Sequence, residues 1–352
     1  MAKKKRTYDF IDLFAGIGGF HLAFNETGRA KCVFASEWDP AARLSYEKFY
    51  GKTDPHLFTN PGTRKSKFNK DITELKSDQD INEVIPQFNI LCGGFPCQPF
   101  SQAGKKHGFS DTRGTLFFNV EQIISVKEPD VFFLENVRGL LSHGGESSSP
   151  GVGRTMEIIL DRLFKPAPEG LGYFKPKGFD GRKLGYFVVR ASDYGVPQHR
   201  PRVFIIGFKD KAVAEAFKAP TPEDVAISKP RALAKILGGS VKSRVFFDEA
   251  GKKERHVGFT LRCGGKGSGI HDRRNWEHYW VQKGPGKEIK HMKINEKHGL
   301  RLLGFPASFT FPENVGKTQR MKQLGNSVAV TAIQSWGQAI IDALDGASGL
   351  KS

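Results

Sequence analysis

The sequence predicts an α/β fold with a mainly parallel, doubly wound sheet, and three observations carry that reading. Six apolar runs of strand length recur along the first 208 residues, segments with helical spacing lie between several of them, and the pattern breaks off after Phe208. The runs are YDFIDLFA (8–15), KCVFASEW (31–38), FNILCGG (88–94), DVFFLENV (130–137), GYFVVRASDYG (185–195) and RVFIIGF (202–208). They are nearly continuous in Val, Ile, Leu and Phe rather than alternating with polar residues, as expected of strands covered on both faces. AARLSYEKFY and FFNVEQIISV supply helices between them, and strands that alternate with helices build parallel sheets.

Beyond Phe208, Lys, Pro and Gly become frequent and aromatic residues stand among basic ones, as in IHDRRNWEHYW. A second, smaller lobe is expected there, which a chain of 352 residues has the length to support beside one large core. Near the C-terminus, Val330, Ile333, Gly337, Ile340, Ile341 and Leu344 share one face of a helix closed by Gly346, which returns to the first domain. The expected division is 1–208, then 209–317, then 318–352. Two stretches, 142–153 and 165–183, read as surface loops.

Fifty-four Lys and Arg against 37 Asp and Glu give a formal charge of +17, which favours an anionic partner such as nucleic acid. The surplus is concentrated: between Lys211 and Lys297 there are 19 basic and 10 acidic residues. Four scattered cysteines without metal-ligand spacing indicate a reduced, cytoplasmic protein with no structural metal. No apolar run approaches the roughly 20 residues of a membrane span.

The first strand ends in DLFAGIGGF, a glycine-rich turn that lets backbone approach a ligand. Gly16, Gly18 and Gly19 do not fit the spacing G-x-G-x-x-G, so the dinucleotide fingerprint fails, and the turn alone is equally a tight strand-to-helix connection. Two further features favour a nucleoside. Glu37 lies at the end of the second strand, suited to a ribose hydroxyl pair, with Trp38 beside it to cover adenine. Asp71 and Ile72 offer a carboxylate for an exocyclic amine and an apolar wall. With no phosphate-binding lysine, S-adenosylmethionine suits this set better than ATP or NAD.

The third strand delivers GGFPCQPFS (93–101), with a cysteine between two prolines, then QAGKKHGFSDTRGTLFF; the fourth ends in LENV, and the fifth leads through DYGVPQHRPR. With the FAGIGG turn before them, Pro-Cys-Gln, Glu-Asn-Val and Gln-x-Arg-x-Arg in this order resemble the DNA (cytosine-5)-methyltransferases of bacterial restriction–modification type. RLLGFPASF (301–309) and KQLGNSVAV (322–330) resemble that family's last two blocks. The resemblance implies a Rossmann-like methyltransferase domain that uses S-adenosylmethionine, releases S-adenosylhomocysteine, and carries a smaller target recognition domain. The cofactor set it implies is Phe14, Ala15, Gly16, Ile17, Gly18, Gly19, Glu37, Trp38, Asp71, Ile72, Pro96, Leu116, Asn326 and Val328. The segment MKINEKHGL departs from the family pattern and puts a local helix there in doubt.

C5 of cytosine is a poor nucleophile. A thiolate adding to C6 creates an enamine whose C5 can take a methyl group, after which loss of the C5 proton and elimination restore the ring. The resemblance gives Cys97 that role, and the basic loop at Lys105 and Lys106 would favour the thiolate. Charge pushed onto N3 and O2 calls for a carboxyl and a guanidinium. Glu135 and Arg202 match them, although the two also read as a structural ion pair. Arg200 reads as either a structural or a phosphate-facing neighbour.

Because C5 and C6 are buried in the duplex stack, the base must be flipped. The loop SQAGKKHGFSDTRG, with Ser101, Lys105 and Arg113, is suited to close over DNA. In the second lobe Arg262, Lys266, Arg273, Arg274 and Asn275 are candidates for base or phosphate contact, while Cys263 has no expected catalytic part. The expected partner is double-stranded DNA, approached by a monomer, with a cognate restriction endonuclease as a candidate partner. A tRNA methyltransferase of the same fold is the alternative, but the Cys-Phe-Thr tripeptide of that branch is absent.

Overall fold

The computed structural model describes residues 6–59, 66–96, 116–149, 151–223, 232–242, 254–263 and 277–349. The chain runs β1 (Tyr8–Leu13), α1 (Gly19–Asn25), β2 (Ala30–Ser36), α2 (Pro40–Tyr50), β3 (Phe68–Asn69), α3 (Asp78–Val84), β4 (Ile90–Gly94), α4 (Leu116–Lys127), β5 (Val131–Val137), α5 (Arg154–Phe164), β6 (Tyr186–Arg190) and β7 (Pro201–Phe208). It continues through α6 (Lys211–Ala216), α7 (Leu233–Leu237), β8 (Ser240–Lys242), β9 (His278–Gln282), β10 (Ile289–Lys293), α8 (Glu296–Leu303), α9 (Lys317–Asn326) and α10 (Val330–Gly349).

Seven strands form one sheet in the order β3-β2-β1-β4-β5-β7-β6. β1, β2, β3, β4 and β5 pair in parallel, and β7 lies antiparallel between β5 and β6. Successive residues of the central strands feed opposite layers. Phe10, Cys92 and Phe133 face one apolar cluster with α1 and α10, whereas Ile11, Leu91 and Phe132 face the other with α3, α4 and α5. Both faces are therefore covered, which is why these strands read as unbroken apolar runs. The chain leaves β1 toward β2 on one side and reaches β4 on the other, so a switch point opens at the carboxyl ends of β1 and β4.

Four details differ from the expected pattern. β6 is the edge strand and alternates: Phe187 and Val189 are buried while Val188 is 44% exposed. The last helix runs through Gly346 to Gly349, since Ala347 on its inner face is still buried and continues the packing. A helix does form in MKINEKHGL. Asn295 caps α8 through the His298 N–H while the His298 side chain takes up the Asn295 N–H, a capping box in which histidine replaces the usual acid. Finally, α6, which a boundary at residue 209 assigns to the second lobe, packs on α10, and Val213, Ala214 and Phe217 are buried in the same core as Trp336.

The described residues between α6 and α9 form the smaller lobe. Its β8, β9 and β10 form an antiparallel sheet in the order β10-β9-β8, anchored by buried Val241, Tyr279 and Val281. Among the described residues no helix is long and apolar enough to cross a membrane.

Candidate active site

The two glycine runs sit at the switch point, and their glycines serve different purposes. Past β1 the chain turns left-handed at Phe14 (φ 56°), Gly16 (φ 57°) and Gly18 (φ 80°). A Cβ on Gly18 would stand 2.3 Å from the Tyr50 ring, and one on Gly19 would stand 2.5 Å from Val328 Cγ2. Both glycines thus permit close packing, against α2 and against the α9–α10 connection. Gly16 borders open space and donates its N–H to Glu37 Oε2 at 2.7 Å. Past β4, a Cβ on Gly93 would meet the Leu13 carbonyl oxygen at 2.5 Å, whereas one on Gly94 would stand 3.1 Å from Glu135 Oε2. Gly93 lets β1 and β4 close up, and Gly94 leaves room for a carboxylate.

A cleft of about 750 Å³ opens here. Of the sequence-derived cofactor set, Phe14, Gly16, Glu37, Trp38, Asp71, Ile72, Pro96, Leu116 and Asn326 line it. Ala15, Ile17, Gly18, Gly19 and Val328 do not line the cleft: they are buried behind its wall and shape it.

Glu37 stands just past β2 and accepts from Gly16 N–H through Oε2 and from Asp39 N–H through Oε1, each at 2.7 Å. Burial raises its carboxyl above the ordinary glutamate range, and the two N–H donors oppose the rise without cancelling it. Trp38 is 74% exposed, so its indole face is free to stack on a ring. Asp71 caps the turn Ile72–Glu74, taking both Thr73 N–H and Thr73 hydroxyl on Oδ1 at 2.9 and 2.8 Å.

Glu135 and Arg202 enter the same cleft from β5 and β7, and the Arg202 Nε–Glu135 Oε1 distance is 2.7 Å. Arg202 also donates to the Pro201 carbonyl at 2.9 Å. Asn136, beside Glu135, sends its Nδ2 to the Phe95 carbonyl at 2.8 Å. That strut ties β5 to the strand end that presents Pro96. Cys97 lies outside the described residues, as do Ser101, Lys105, Lys106, Arg113, Lys266, Arg273, Arg274 and Asn275. Pro96, the residue before Cys97, is exposed on the cleft.

The phosphate-facing alternative for Arg200 is corrected. Arg200 is 1% exposed, and its guanidinium donates to the carbonyls of Leu261 and Gly325, each at 3.0 Å, and of Ser327. No donor reaches the surface, and burial together with neighbouring Arg202 depresses its pKa. Gln198 works alongside it, donating to Leu302 carbonyl at 3.0 Å and accepting from Leu261 N–H at 3.2 Å. In Gln-x-Arg-x-Arg, two residues bolt the smaller lobe and the final helices to the sheet, and the third faces the cleft. Arg262 is exposed, with its backbone against Gly325.

Sequence reasoning missed three contributors. Asp39 caps α2 and pairs with Lys322 at 2.9 Å across the cleft mouth. Asp before Pro is a legible cap signal, but its partner 283 residues away is not. Cys263 points its Sγ at Asn326 Oδ1, 2.6 Å away.

The family whose sequence model matches the chain is C-5 cytosine-specific DNA methylase, over residues 8–283 and 255–342. The chain belongs to that family. It is a DNA cytosine-5 methyltransferase and uses a methyl donor. The methyltransferase is 37% identical over 369 residues to Type II methyltransferase M.HpaII of Haemophilus parainfluenzae, spanning 97% of this chain and 91% of that protein. It is 36% identical over 357 residues to Type II methyltransferase M.SsoII of Shigella sonnei, spanning 96% and 81%. A crystal structure of a Spodoptera frugiperda DNMT2 mutant matches with a TM-score of 0.65 at 18% identity, over 95% of this chain and 99% of that one. At that identity the likeness speaks for the fold alone.

Proposed function

We propose that this methyltransferase flips a cytosine out of a short duplex DNA site and methylates C5 through a covalent bond between Cys97 and C6. The observation that carries the reading is convergence. The ion pair of buried Glu135 with half-buried Arg202, the exposed Pro96 that leads into Cys97, and the Glu37–Trp38 nucleoside cradle share one cleft. S-adenosylmethionine fits the residues: Glu37 presents a fixed carboxylate to a ribose, Trp38 an open ring face to adenine, and Gly16 a space without a side chain. Bound there, it would supply an electrophilic methyl group.

The protein's own groups do the rest. Cys97 thiolate adds to C6, and electron density moves toward N3 and O2 of the base. Glu135 sets its carboxyl group toward N3 and Arg202 offers guanidinium N–H groups to O2. Their mutual 2.7 Å contact keeps both side chains in one place before the base arrives. C5 then takes the methyl group; its proton leaves to water or another base, the double bond between C5 and C6 re-forms, and the Cys97–C6 bond breaks with its electron pair returning to sulfur.

The proposed division of labour places cofactor and chemistry in 1–208, target reading in 209–317 and the return of the chain in 318–352. Ser101, Lys105, Arg113, Arg262, Lys266, Arg273 and Arg274 are proposed DNA contacts. The relatives named Type II methyltransferases support a place in a restriction–modification system.

Labelled methyl transfer to cytosine-containing duplex DNA tests the reaction. Wild type should transfer, Cys97→Ala should not, and 5-fluorocytosine DNA should form an adduct stable to denaturation only with Cys97 present. Transfer by Cys97→Ala at the wild-type rate would sink the covalent route.

A further inference from the structure

A buried polar stack supports the glycine turn after β1, and the proposed chemistry does not use it. His21 of α1 and Tyr50 of α2 lie face to face, with ring centroids 3.9 Å apart and planes 6° from parallel. Both are buried, as are Tyr46 and Asp12 around them, and none of the four lines the cleft. Asp54 Oδ2, 3.4 Å from His21 Nε2, draws the ring proton to that side, and Nδ1 then accepts from the Tyr46 hydroxyl at 2.6 Å. Asp12 takes the His21 backbone N–H at 3.3 Å. The imidazole is held at both ring nitrogens and at its backbone, and it gives the Tyr50 ring a fixed seat.

From that seat Tyr50 reaches the turn. Its hydroxyl donates to the Gly18 carbonyl at 2.5 Å, beside the Leu22 N–H that bonds the same oxygen at 2.9 Å. Gly18 closes a tight turn in which its N–H bonds the Ala15 carbonyl at 2.7 Å, with Gly16 and Ile17 between them. Gly16 is the residue that donates to Glu37 in the cleft. One chain of contacts thus runs from His21 through Tyr50, Gly18 and Gly16 to the carboxylate proposed for the ribose. Packing α1 on α2 does not need these polar atoms. Phenylalanine would fill the place of Tyr50, and an apolar pair would avoid the cost of burying an imidazole and a phenol. What the hydroxyl adds is a fixed position for the Gly18 peptide.

We infer that Tyr50, seated on His21, is a positioning residue for methyl-donor binding: its hydroxyl locks the Gly18 carbonyl and so holds Gly16 and Glu37 in the arrangement that receives the nucleoside. The inference rests on the proposal that the cleft takes S-adenosylmethionine, and it assigns part of the binding to residues that do not line the cleft.

The test removes single hydroxyls from the full-length protein. Tyr50→Phe keeps the ring and should weaken S-adenosylhomocysteine about fivefold by calorimetric titration. It should raise KM for S-adenosylmethionine by a similar factor and leave kcat within about twofold. Tyr173→Phe is the matched control. Tyr173 is buried in the opposite layer, and its hydroxyl donates to the Pro129 carbonyl at 2.7 Å. Its loss should lower the melting midpoint comparably and leave S-adenosylhomocysteine affinity unchanged. Unchanged affinity in Tyr50→Phe would overturn the inference, and so would an equal loss in Tyr173→Phe, which makes the effect one of general destabilisation. Wild type that binds no S-adenosylhomocysteine would remove the cofactor proposal and the inference with it. Thermal melting shows whether each variant folds. Should Tyr50→Phe fail to fold, Tyr46→Phe, which frees the imidazole beneath the Tyr50 ring, carries the test: a loss of about threefold is expected, and none would overturn the inference.

Discussion

The sheet and the smaller lobe are built on different principles. In the sheet, five parallel strands are covered on both faces, so nearly every residue of β1, β4 and β5 is buried and the strand ends are held rigidly. In the smaller lobe, three short antiparallel strands bury alternate residues at most. β9 buries Tyr279 and Val281, while His278, Trp280 and Gln282 stay half-buried. The contrast teaches that burial fixes the strand ends of the sheet, whereas the lobe leaves much of its strand surface open to solvent. Arg200 and Arg202, two residues apart, mark the border: one is devoted to holding the lobe in place and the other faces the cleft.

The strongest way to sharpen that contrast is a matched pair of substitutions. Arg200→Lys removes the planar fork that serves three carbonyls and leaves buried acceptors unpaired, so stability should fall by about 3 kcal/mol. Arg202→Lys should leave the melting midpoint nearly unchanged and lower methyl transfer by about 100-fold. Denaturant unfolding and initial rates read the two effects, and a reversed pattern would break the assignment.

The glycines at the two strand ends divide in the same way. Gly18→Ala drives a methyl into the Tyr50 ring at a left-handed residue and should cost roughly 1–3 kcal/mol of stability. Gly94→Ala should instead act through Glu135, whose Oε2 is 3.1 Å from the added carbon, and lower kcat more than stability.

A smaller effect concerns pH. Glu37 accepts hydrogen bonds best as a carboxylate, and burial raises its pKa. Affinity for S-adenosylhomocysteine should therefore fall as pH drops, with a midpoint above the ordinary glutamate value of about 4.3. Glu37→Gln should bind more weakly and lose that pH dependence. The smallest effect belongs to the lobe: Arg262→Ala should reduce the slope of log affinity for DNA against log salt by about one.

Much of this was legible in the chain itself. Strands covered on both faces leave unbroken apolar runs, so β1, β2, β4, β5 and β7 were readable, as was the helix that returns the chain at α10. The cleft residues at strand ends followed from those strands. The two-residue β3 was too short to leave a pattern, and the capping box at Asn295 and His298 was hidden because histidine takes the place of an acid.

By itself, then, the sequence determined the layered α/β architecture, the surplus of positive charge, and which residue types stand at the strand ends, because periodicity and composition are local properties. Only the tertiary structure decided which of them meet. It put Arg200 under the surface and Arg202 in the cleft, assigned Gly18 and Gly19 to packing and Gly16 to open space, and brought Tyr50 to Gly18. Those outcomes depend on contacts between segments far apart in the chain, and no local pattern records them.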